Sequence, residues 1–266
     1  MNSTSNQSNI SNLNKHNSMS KIISVSNHKG GVGKTTTALN FGAALAFVGK
    51  RVLLIDLDPQ ANLSQSLGIV DEKSNIYAVI KGECPLLPIE IFNGFFIVPS
   101  SLDLSGAEVE LSNEPGREYV LKELLEPLRS SYDYIIIDCP PSLALLTINA
   151  FTAADEILIP LQAEYLAMQG VAKLLDVIEK IKKRLNPQLF VGGIIITQYD
   201  SRKILNRDVV STIETYSKDF VYKTKIRNTI SLAEAPSEGL DIFRYNIKST
   251  GATDYMALCE EYLKRQ

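Results

Sequence analysis

Residues 22–36 read IISVSNHKGGVGKTT, and this stretch decides how the rest of the chain is interpreted. A short apolar run leads into a glycine-rich turn, which ends at Lys34 and Thr35 where an amphipathic segment begins. Glycines let the N–H groups of such a turn point at phosphate oxygens, and a helix starting there adds a favourable dipole. The order of strand, loop and helix predicts a nucleoside triphosphate site, with Lys34 on the phosphates and Thr35 on Mg²⁺.

The loop departs from the usual phosphate-loop pattern GxxxxGK[ST]. Position 28 should be glycine but is His28, and Lys29 adds a second lysine to a loop that Lys34 already serves. Two lysines at one site repel each other unless a dianion lies between them. We therefore interpret Lys29 as serving a second copy of the site, across a dimer in which two protomers face each other over two nucleotides. A plain tight turn with surface lysines is the alternative.

Composition and charge restrict the class of protein. The 266 residues carry a net charge of −3, divided into −7 for residues 1–172 and +4 for residues 173–266. We expect any surface for nucleic acid in the C-terminal third. Three widely spaced cysteines argue against a disulfide framework or an iron–sulfur cluster. With no apolar run near 18 residues and no hydrophobic signal region, we expect a cytoplasmic protein without a membrane partner.

The order of segments predicts one doubly wound α/β domain over residues 20–266, preceded by a disordered Asn/Ser-rich tail over residues 1–19. Apolar runs rich in Ile and Val alternate with amphipathic stretches, which is typical of a mostly parallel sheet covered by helices on both faces. The predicted strands are Ile22–Ser26, Val52–Asp56, Phe95–Pro99, Tyr134–Asp138, Glu156–Pro160 and Val191–Thr197. The predicted helices are Thr35–Val48, Arg117–Arg129, Leu143–Thr152, Ala167–Leu185, Ile204–Tyr216 and Thr250–Lys264.

Acidic residues stand where two of these strands end. Asp56 and Asp58 end the second strand, and Asp138 ends the fourth. Ligands of such sheets sit outside the carboxyl ends of the strands, and Mg²⁺ takes few carboxylates together with phosphate oxygens and water. We expect Asp138 on the strand beside the phosphate loop, orienting Mg²⁺. Asp56 and Asp58 both face the nucleotide in this interpretation, or one of them caps the turn before Pro59.

The motifs together resemble a known family. KGGVGKTT, DLDPQAN (residues 56–62) and IIIDCPPS (residues 135–142) resemble the deviant-Walker P-loop ATPases, and within them the ParA/Soj partition ATPases. Supporting stretches, from residue 21 to the C-terminus, are LSGAEVEL (104–111), TINAFTAADEILIPLQAEYLAMQG (147–170), TQYDSR (197–202) and LAEAPSEG (232–239). The resemblance implies an ATP- and Mg²⁺-dependent homodimer with a slow basal ATPase, which binds double-stranded DNA without sequence preference. A ParB/Spo0J-like partner would stimulate hydrolysis during chromosome or plasmid partitioning, and the protein would associate with the nucleoid.

The resemblance also assigns roles residue by residue. Lys29, Lys34 and Asp58 are the expected catalytic residues, with Lys29 crossing the dimer and Asp58 positioning the attacking water. The expected metal residues are Thr35, Asp56 and Asp138, and the expected DNA-binding residues are Arg202 and Arg227. The expected nucleotide-binding residues are Lys29, Gly30, Gly31, Val32, Gly33, Lys34, Thr35, Thr36, Pro236 and Ser237. The sequence departs from the family at His28, where Gln is usual, and in the residues around Arg227.

Three other functions remain open at this point. A ParA-like ATPase that positions another cargo would use the same motifs. A MinD-like membrane-cycling ATPase would need a C-terminal amphipathic helix rich in lysine, whereas YMALCEEYLKRQ looks like a docked final helix. An electron carrier of the nitrogenase-reductase type would need paired cysteines, which this sequence lacks.

Overall fold

The computed structural model describes residues 20–70, 72–164, 167–217 and 220–266. The predicted tail over residues 1–19 lies outside these ranges. Within them, eight strands form one sheet. The strands are β1 (Lys21–Val25), β2 (Val52–Asp56), β3 (Ile89–Phe92), β4 (Phe95–Val98), β5 (Tyr134–Asp138), β6 (Glu156–Gln162), β7 (Phe190–Tyr199) and β8 (Val221–Arg227).

Helices connect these strands and cover the sheet. They are α1 (Lys34–Phe47), α2 (Asn62–Ser66), α3 (Ile76–Ile80), α4 (Leu104–Glu110), α5 (Val120–Leu125), α6 (Leu145–Ala153), α7 (Ala167–Arg184), α8 (Ile204–Ser217), α9 (Ile230–Glu234), α10 (Ile242–Asn246) and α11 (Thr250–Arg265). Short 3₁₀ turns cover Leu111–Asn113, Glu126–Leu128 and Ala235–Glu238. No helix in the described ranges combines the length and the apolar character needed to cross a bilayer.

The strand order is β3-β4-β2-β5-β1-β6-β7-β8, and every pairing is parallel except β3 with β4. The predicted fold class is therefore confirmed. The six predicted strands correspond to β1, β2, β4, β5, β6 and β7, whereas β3 and β8 were not predicted. Both unpredicted strands lie at the edges of the sheet, where one side has no neighbouring strand.

Hydrophobic cores lie on both faces of the sheet, because successive residues of a strand point to opposite sides. Ile22 joins the core under α5, α6 and α7, whereas Ile23 joins the core under α1 and α11. The last helix is docked, as predicted, with Tyr255, Leu258 and Tyr262 buried against the second core.

The topology fixes which motifs meet. Strand β1 lies between β5 and β6, so the loop after β1 opens at the carboxyl edge of the sheet beside Asp138. Arg202 follows β7 and Arg227 ends β8 at that same edge, where Tyr199 pairs in register with Arg227. Helix α7 returns toward the start of β7, so its final basic run, Lys182–Arg184, lies toward the opposite edge.

Candidate functional site

The glycine-rich loop turns directly from β1 into α1. Gly31 and Gly33 have φ angles of 74° and 83°, in the left-handed region that side chains disfavour. Gly33 is the N-cap of α1, and its carbonyl accepts from the N–H of Thr37 at 2.9 Å. Gly33 has no side chain with which to cap the helix, so the first N–H groups of α1 remain available to an anion at the loop.

The end of β7 fastens this loop, which sequence reasoning missed. The Thr197 hydroxyl donates to the Val32 carbonyl at 2.7 Å, and the Gln198 amide donates to the Gly31 carbonyl at 2.6 Å. Gln198 has a φ of 51°, a conformation unusual for a residue other than glycine. The stretch TQYDSR contributes to the family resemblance, but no local pattern shows that β7 and the loop meet.

Lys34 is almost completely buried at the base of the loop. Its Nζ donates to the Lys29 carbonyl at 3.1 Å. Burial lowers the pKa of Lys34, while Asp138, Cys139 and Asp58 act in the opposite direction. This ammonium group therefore lies near two carboxylates and is held by a backbone carbonyl, which it can exchange for a phosphate oxygen.

Asp138 lies where sequence reasoning expected it. It pairs in register with Val25, the last residue before the loop. Both of its carboxylate oxygens are buried without a hydrogen-bond partner among the described residues. Burial raises the pKa of Asp138 well above its usual value, and Asp56 adds to the increase, whereas the neighbouring Thr35 hydroxyl and Lys34 oppose it.

This orphaned carboxylate fits a magnesium site. Mg²⁺ commonly binds proteins through one or two carboxylates and completes its shell with phosphate oxygens and water. No group of three or more His, Cys, Asp or Glu side chains suited to a metal occurs in the described part of the chain. Asp138 and Thr35 would hold the ion together with a bound triphosphate, which supplies most of the remaining ligands.

Asp56 and Asp58 have different surroundings, although they are two residues apart. The Asp56 carboxylate accepts from the Ser64 backbone N–H at 2.9 Å and from the Ser64 hydroxyl at 2.6 Å, so it caps α2. Burial raises the pKa of Asp56 to about 6. Among the described residues, the Asp58 carboxylate accepts from the Gln60 N–H alone, at 3.0 Å, which leaves acceptor capacity beside Lys34. Asp56 is thus engaged with α2, whereas Asp58 holds the turn at Pro59 and keeps unused acceptor capacity.

Lys29 points away from its own phosphate loop. Its ammonium group forms an ion pair with Glu164, just beyond β6, and both side chains are nearly half exposed. The residue before it, His28, packs its ring on Gly170 of α7, where a Cβ atom would come within 2.4 Å of the His28 Cε1. A glycine at position 170 therefore makes room for the unusual histidine.

A pocket of about 260 Å³ adjoins the loop between β7, β8 and α11. It extends from Gly33 and Thr36 to Asn228 and Tyr255; the other lining residues are Thr197, Gln198, Ile226, Arg227, Thr229, Leu232 and Ala233. Pro236 and Ser237, predicted to bind the nucleotide, do not line it. They belong to the 3₁₀ turn that follows α9 and packs near α2.

Comparison with known proteins identifies the family of this chain. A family model described as an AAA domain matches residues 20–191. The sporulation initiation inhibitor protein Soj of Bacillus subtilis is 44% identical over 248 residues, covering 91% of this chain and 98% of that protein. The chromosome partitioning protein ParA of Myxococcus xanthus is 46% identical over 251 residues, covering 92% of this chain and 88% of that protein. The chain belongs to the ParA/Soj family of partition ATPases.

A solved structure shows the same fold with nucleotide present. It is a protein from Mycobacterium smegmatis named cobyrinic acid a,c-diamide synthase, with a bound ATP analog and magnesium. It matches with a TM-score of 0.82 and 37% sequence identity, covering 92% of this chain and 95% of that chain. A nucleotide with magnesium is thus bound by a relative of the same architecture.

The ParA/Soj chain brings most of its predicted site residues to one edge of the sheet. At the end of the loop, Lys34 lies near Asp58 and Asp138, and Thr35 lies near Asp138. Lys29 stands at the outer side of the loop. Arg202 and Arg227 lie farther along the same edge, and each is engaged in an ion pair, with Asp200 and Asp254 respectively. Sequence reasoning found the charged residues at strand ends but missed their partners Glu164, Asp200 and Asp254.

Proposed function

We propose that this ParA/Soj protein is an ATP-dependent dimerising switch that binds DNA without sequence preference. In this proposal residues 20–266 act as one ATPase domain that binds ATP with Mg²⁺. Two ATP-bound copies dimerise on the nucleoid, and a ParB-like partner stimulates hydrolysis, which returns the protein to monomers. The cellular role is the partitioning of a chromosome or plasmid.

The orientation of Lys29 is the observation that carries this proposal. A lysine that served its own nucleotide would point into the loop, as Lys34 does from its buried position. Lys29 instead extends to the surface and pairs with Glu164. An exposed ion pair of this kind contributes little stability, so the ammonium group can exchange Glu164 for the phosphates of a facing copy.

The proposed chemistry assigns a role to each residue at the loop. Lys34 and the N–H groups of residues 30–36 bind phosphate, and Thr35 and Asp138 hold the magnesium ion. Asp58 positions the attacking water, and Lys29 of the facing copy stabilises charge on the transferred phosphoryl group. The pocket beside Gly33 and Thr36 accepts the nucleoside.

The DNA surface in this proposal is the carboxyl edge around β7 and β8. Arg202 is 88% exposed and Arg227 is 52% exposed at their side chains. Both follow neighbouring strands, so one stretch of DNA backbone can contact them together. Lys203 and Arg207 are exposed near Arg202 and add positive charge.

A nucleotide-state experiment tests the proposal. Retention of a random-sequence DNA duplex is measured with ATP, with ADP and without nucleotide, for wild type, Lys29→Ala and Asp58→Ala. We expect ATP-dependent retention by wild type, none by Lys29→Ala, and retention that persists in Asp58→Ala because hydrolysis is blocked. Equal retention by wild type with ATP and ADP would contradict the switch. Steady-state ATPase activity with DNA and a ParB-like protein then tests stimulation, which should be absent in Asp58→Ala.

A further inference from the structure

The two candidate DNA-binding arginines are held in the same way on neighbouring strands. Arg202 donates from Nε and Nη2 to the two carboxylate oxygens of Asp200, each at 2.9 Å. Arg227 donates from the same two nitrogens to Asp254, at 2.6 Å from Nη2 and about 3.0 Å from Nε. Each aspartate also accepts the backbone N–H of its own arginine, at 3.0 Å for Arg202 and 2.9 Å for Arg227.

This arrangement leaves the same edge of each guanidinium group available. Arginine has five N–H donors in a rigid plane, and the contacts with aspartate use only the Nε and Nη2 side. Within the described residues, Nη1 of Arg202 and Nη1 of Arg227 have no acceptor. Each arginine can therefore keep its aspartate and donate to a phosphate oxygen at the same time.

Both aspartates are themselves fixed by the fold. Asp200 donates its backbone N–H to the side chain of Asn206, and the buried Asn206 amide donates to the Ala163 carbonyl at 2.8 Å. Asp254 is a buried residue of α11, one position before Tyr255, whose hydroxyl lies 3.3 Å from that of Thr37 in α1. The Arg202 side chain holds the pKa of Asp200 at about 2, so this carboxylate stays ionised at neutral pH.

We propose that Asp200 and Asp254 are positioning residues that hold Arg202 and Arg227 ready for DNA phosphates. The inference rests on the DNA-binding role proposed above and assigns two further residues to it. A free arginine side chain loses rotational freedom when it binds, whereas an arginine already oriented by a fixed carboxylate loses less. In this proposal the smaller loss of side-chain entropy on binding outweighs the repulsion between each carboxylate and the DNA backbone.

The direction in which DNA affinity changes when an aspartate is replaced by asparagine separates this role from simple electrostatic attraction. Replacing an aspartate by asparagine raises the net charge by one, so general attraction to DNA should increase. If the aspartates position the arginines, the same change should weaken DNA binding. A merely structural role would not produce a weaker affinity together with unchanged dimerisation and thermal stability.

The experiment uses the full chain with ATP and Mg²⁺, and fluorescence anisotropy of a labelled random-sequence duplex over a series of salt concentrations. The variants are Asp200→Asn, Asp254→Asn, Arg202→Ala and Arg227→Ala. Asp208→Asn is the matched control, since Asp208 is an exposed carboxylate of α8 whose side chain makes no hydrogen bond or ion pair with the described residues. We expect Asp200→Asn and Asp254→Asn to bind DNA about tenfold more weakly, as expected when a charge-assisted contact is lost. The salt dependence should fall by about one phosphate contact per variant. Asp208→Asn should bind equally or slightly more tightly.

The outcomes distinguish the inference from the proposed function. Weaker binding by the arginine variants with equal or tighter binding by Asp200→Asn would overturn the positioning role and leave the DNA surface standing. Unchanged binding by both arginine variants would overturn the DNA surface and the inference with it. Asp254 also accepts the backbone N–H of Arg227 at the end of β8, so Asp254→Asn could unfold. In that case the result for Asp200→Asn, in a loop, decides the question. Asp200→Glu, which can rebuild the ion pair, should recover part of the lost affinity.

Discussion

Lys29 and Glu164 form an ion pair within one chain, at the outer side of the phosphate loop. In the proposed dimer Lys29 must leave this partner, so Glu164 competes with the facing nucleotide. Glu164→Gln should therefore strengthen ATP-dependent dimerisation. Two exposed pairs are released per dimer, together worth about 1 kcal/mol, which corresponds to about a fivefold lower dimer Kd.

Sedimentation velocity with ATP and Mg²⁺ measures this effect. Lys29→Ala should remain monomeric while still binding ATP, because Lys34 serves the phosphates of its own site. Lys264→Ala is the control, since Lys264 is an exposed lysine near the opposite edge of the sheet, 4.0 Å from Glu260. An ATP-bound dimer of Lys29→Ala with wild-type affinity would refute the crossing role.

Asp138→Asn should make the nucleotide-free protein more stable while it impairs Mg²⁺-dependent ATP binding. The buried Asp138 carboxylate has no hydrogen-bond partner in the described structure, and burial raises its pKa. Removing its charge should raise the free energy of unfolding of the nucleotide-free protein by about 1 kcal/mol at neutral pH, because the folded protein resists ionisation of a carboxyl group that the unfolded chain ionises freely. The same variant should lose the increase in ATP affinity that Mg²⁺ provides, measured by calorimetry with and without the ion. Asp176→Asn, at an exposed aspartate of α7 whose side chain makes no hydrogen bond or ion pair with the described residues, should change neither quantity.

The stability of the nucleotide-free protein should carry a pH dependence from Asp56. Burial raises the pKa of Asp56 from 3.8 to about 6, so the folded state keeps a proton that the unfolded state has lost. The stability that the protonated Asp56 provides is fully present below pH 3.8, and it is lost as the pH rises to about 6. It amounts to about 3 kcal/mol.

Urea unfolding without Mg²⁺, compared between wild type and Asp56→Asn at several pH values, isolates this group. The difference between the two proteins should change across the window in favour of the variant as the pH rises. A difference that stays constant with pH would show that Asp56 titrates normally in the folded protein.

Thr197→Val should weaken nucleotide binding although residue 197 carries no charge. The Thr197 hydroxyl fastens the Val32 carbonyl of the phosphate loop, and valine keeps the shape while removing the donor. The buried carbonyl would lose its partner at a cost of about 1–3 kcal/mol, part of which should appear as lower ATP affinity. Thr197→Ser keeps the hydroxyl and should bind ATP nearly as well as wild type. Equal losses in both variants would point to packing by the methyl group instead.

Much of the sheet could be predicted from sequence because six of its strands are covered on both sides. Such strands need continuous apolar residues, as in Tyr134–Asp138, and this pattern is visible without a structure. Strand β8 reads VYKTKIR, in which lysines interrupt the apolar residues. It lies at an edge of the sheet and is therefore only partly covered. The short strand β3, at the other edge, was missed for the same reason.

The sequence by itself determined the phosphate loop, the aspartates at the strand ends and the unusual second lysine, since the residues of each motif are close together in the chain. Only the tertiary structure decided which of these groups has a partner. Asp56 caps a helix, while Asp138 is left without a hydrogen-bond partner in the described structure. Lys29 forms an ion pair with Glu164, and Arg227 forms one with Asp254. These partners are 8 to 135 residues distant in the chain, and no local pattern encodes contacts that arise when strands and helices pack.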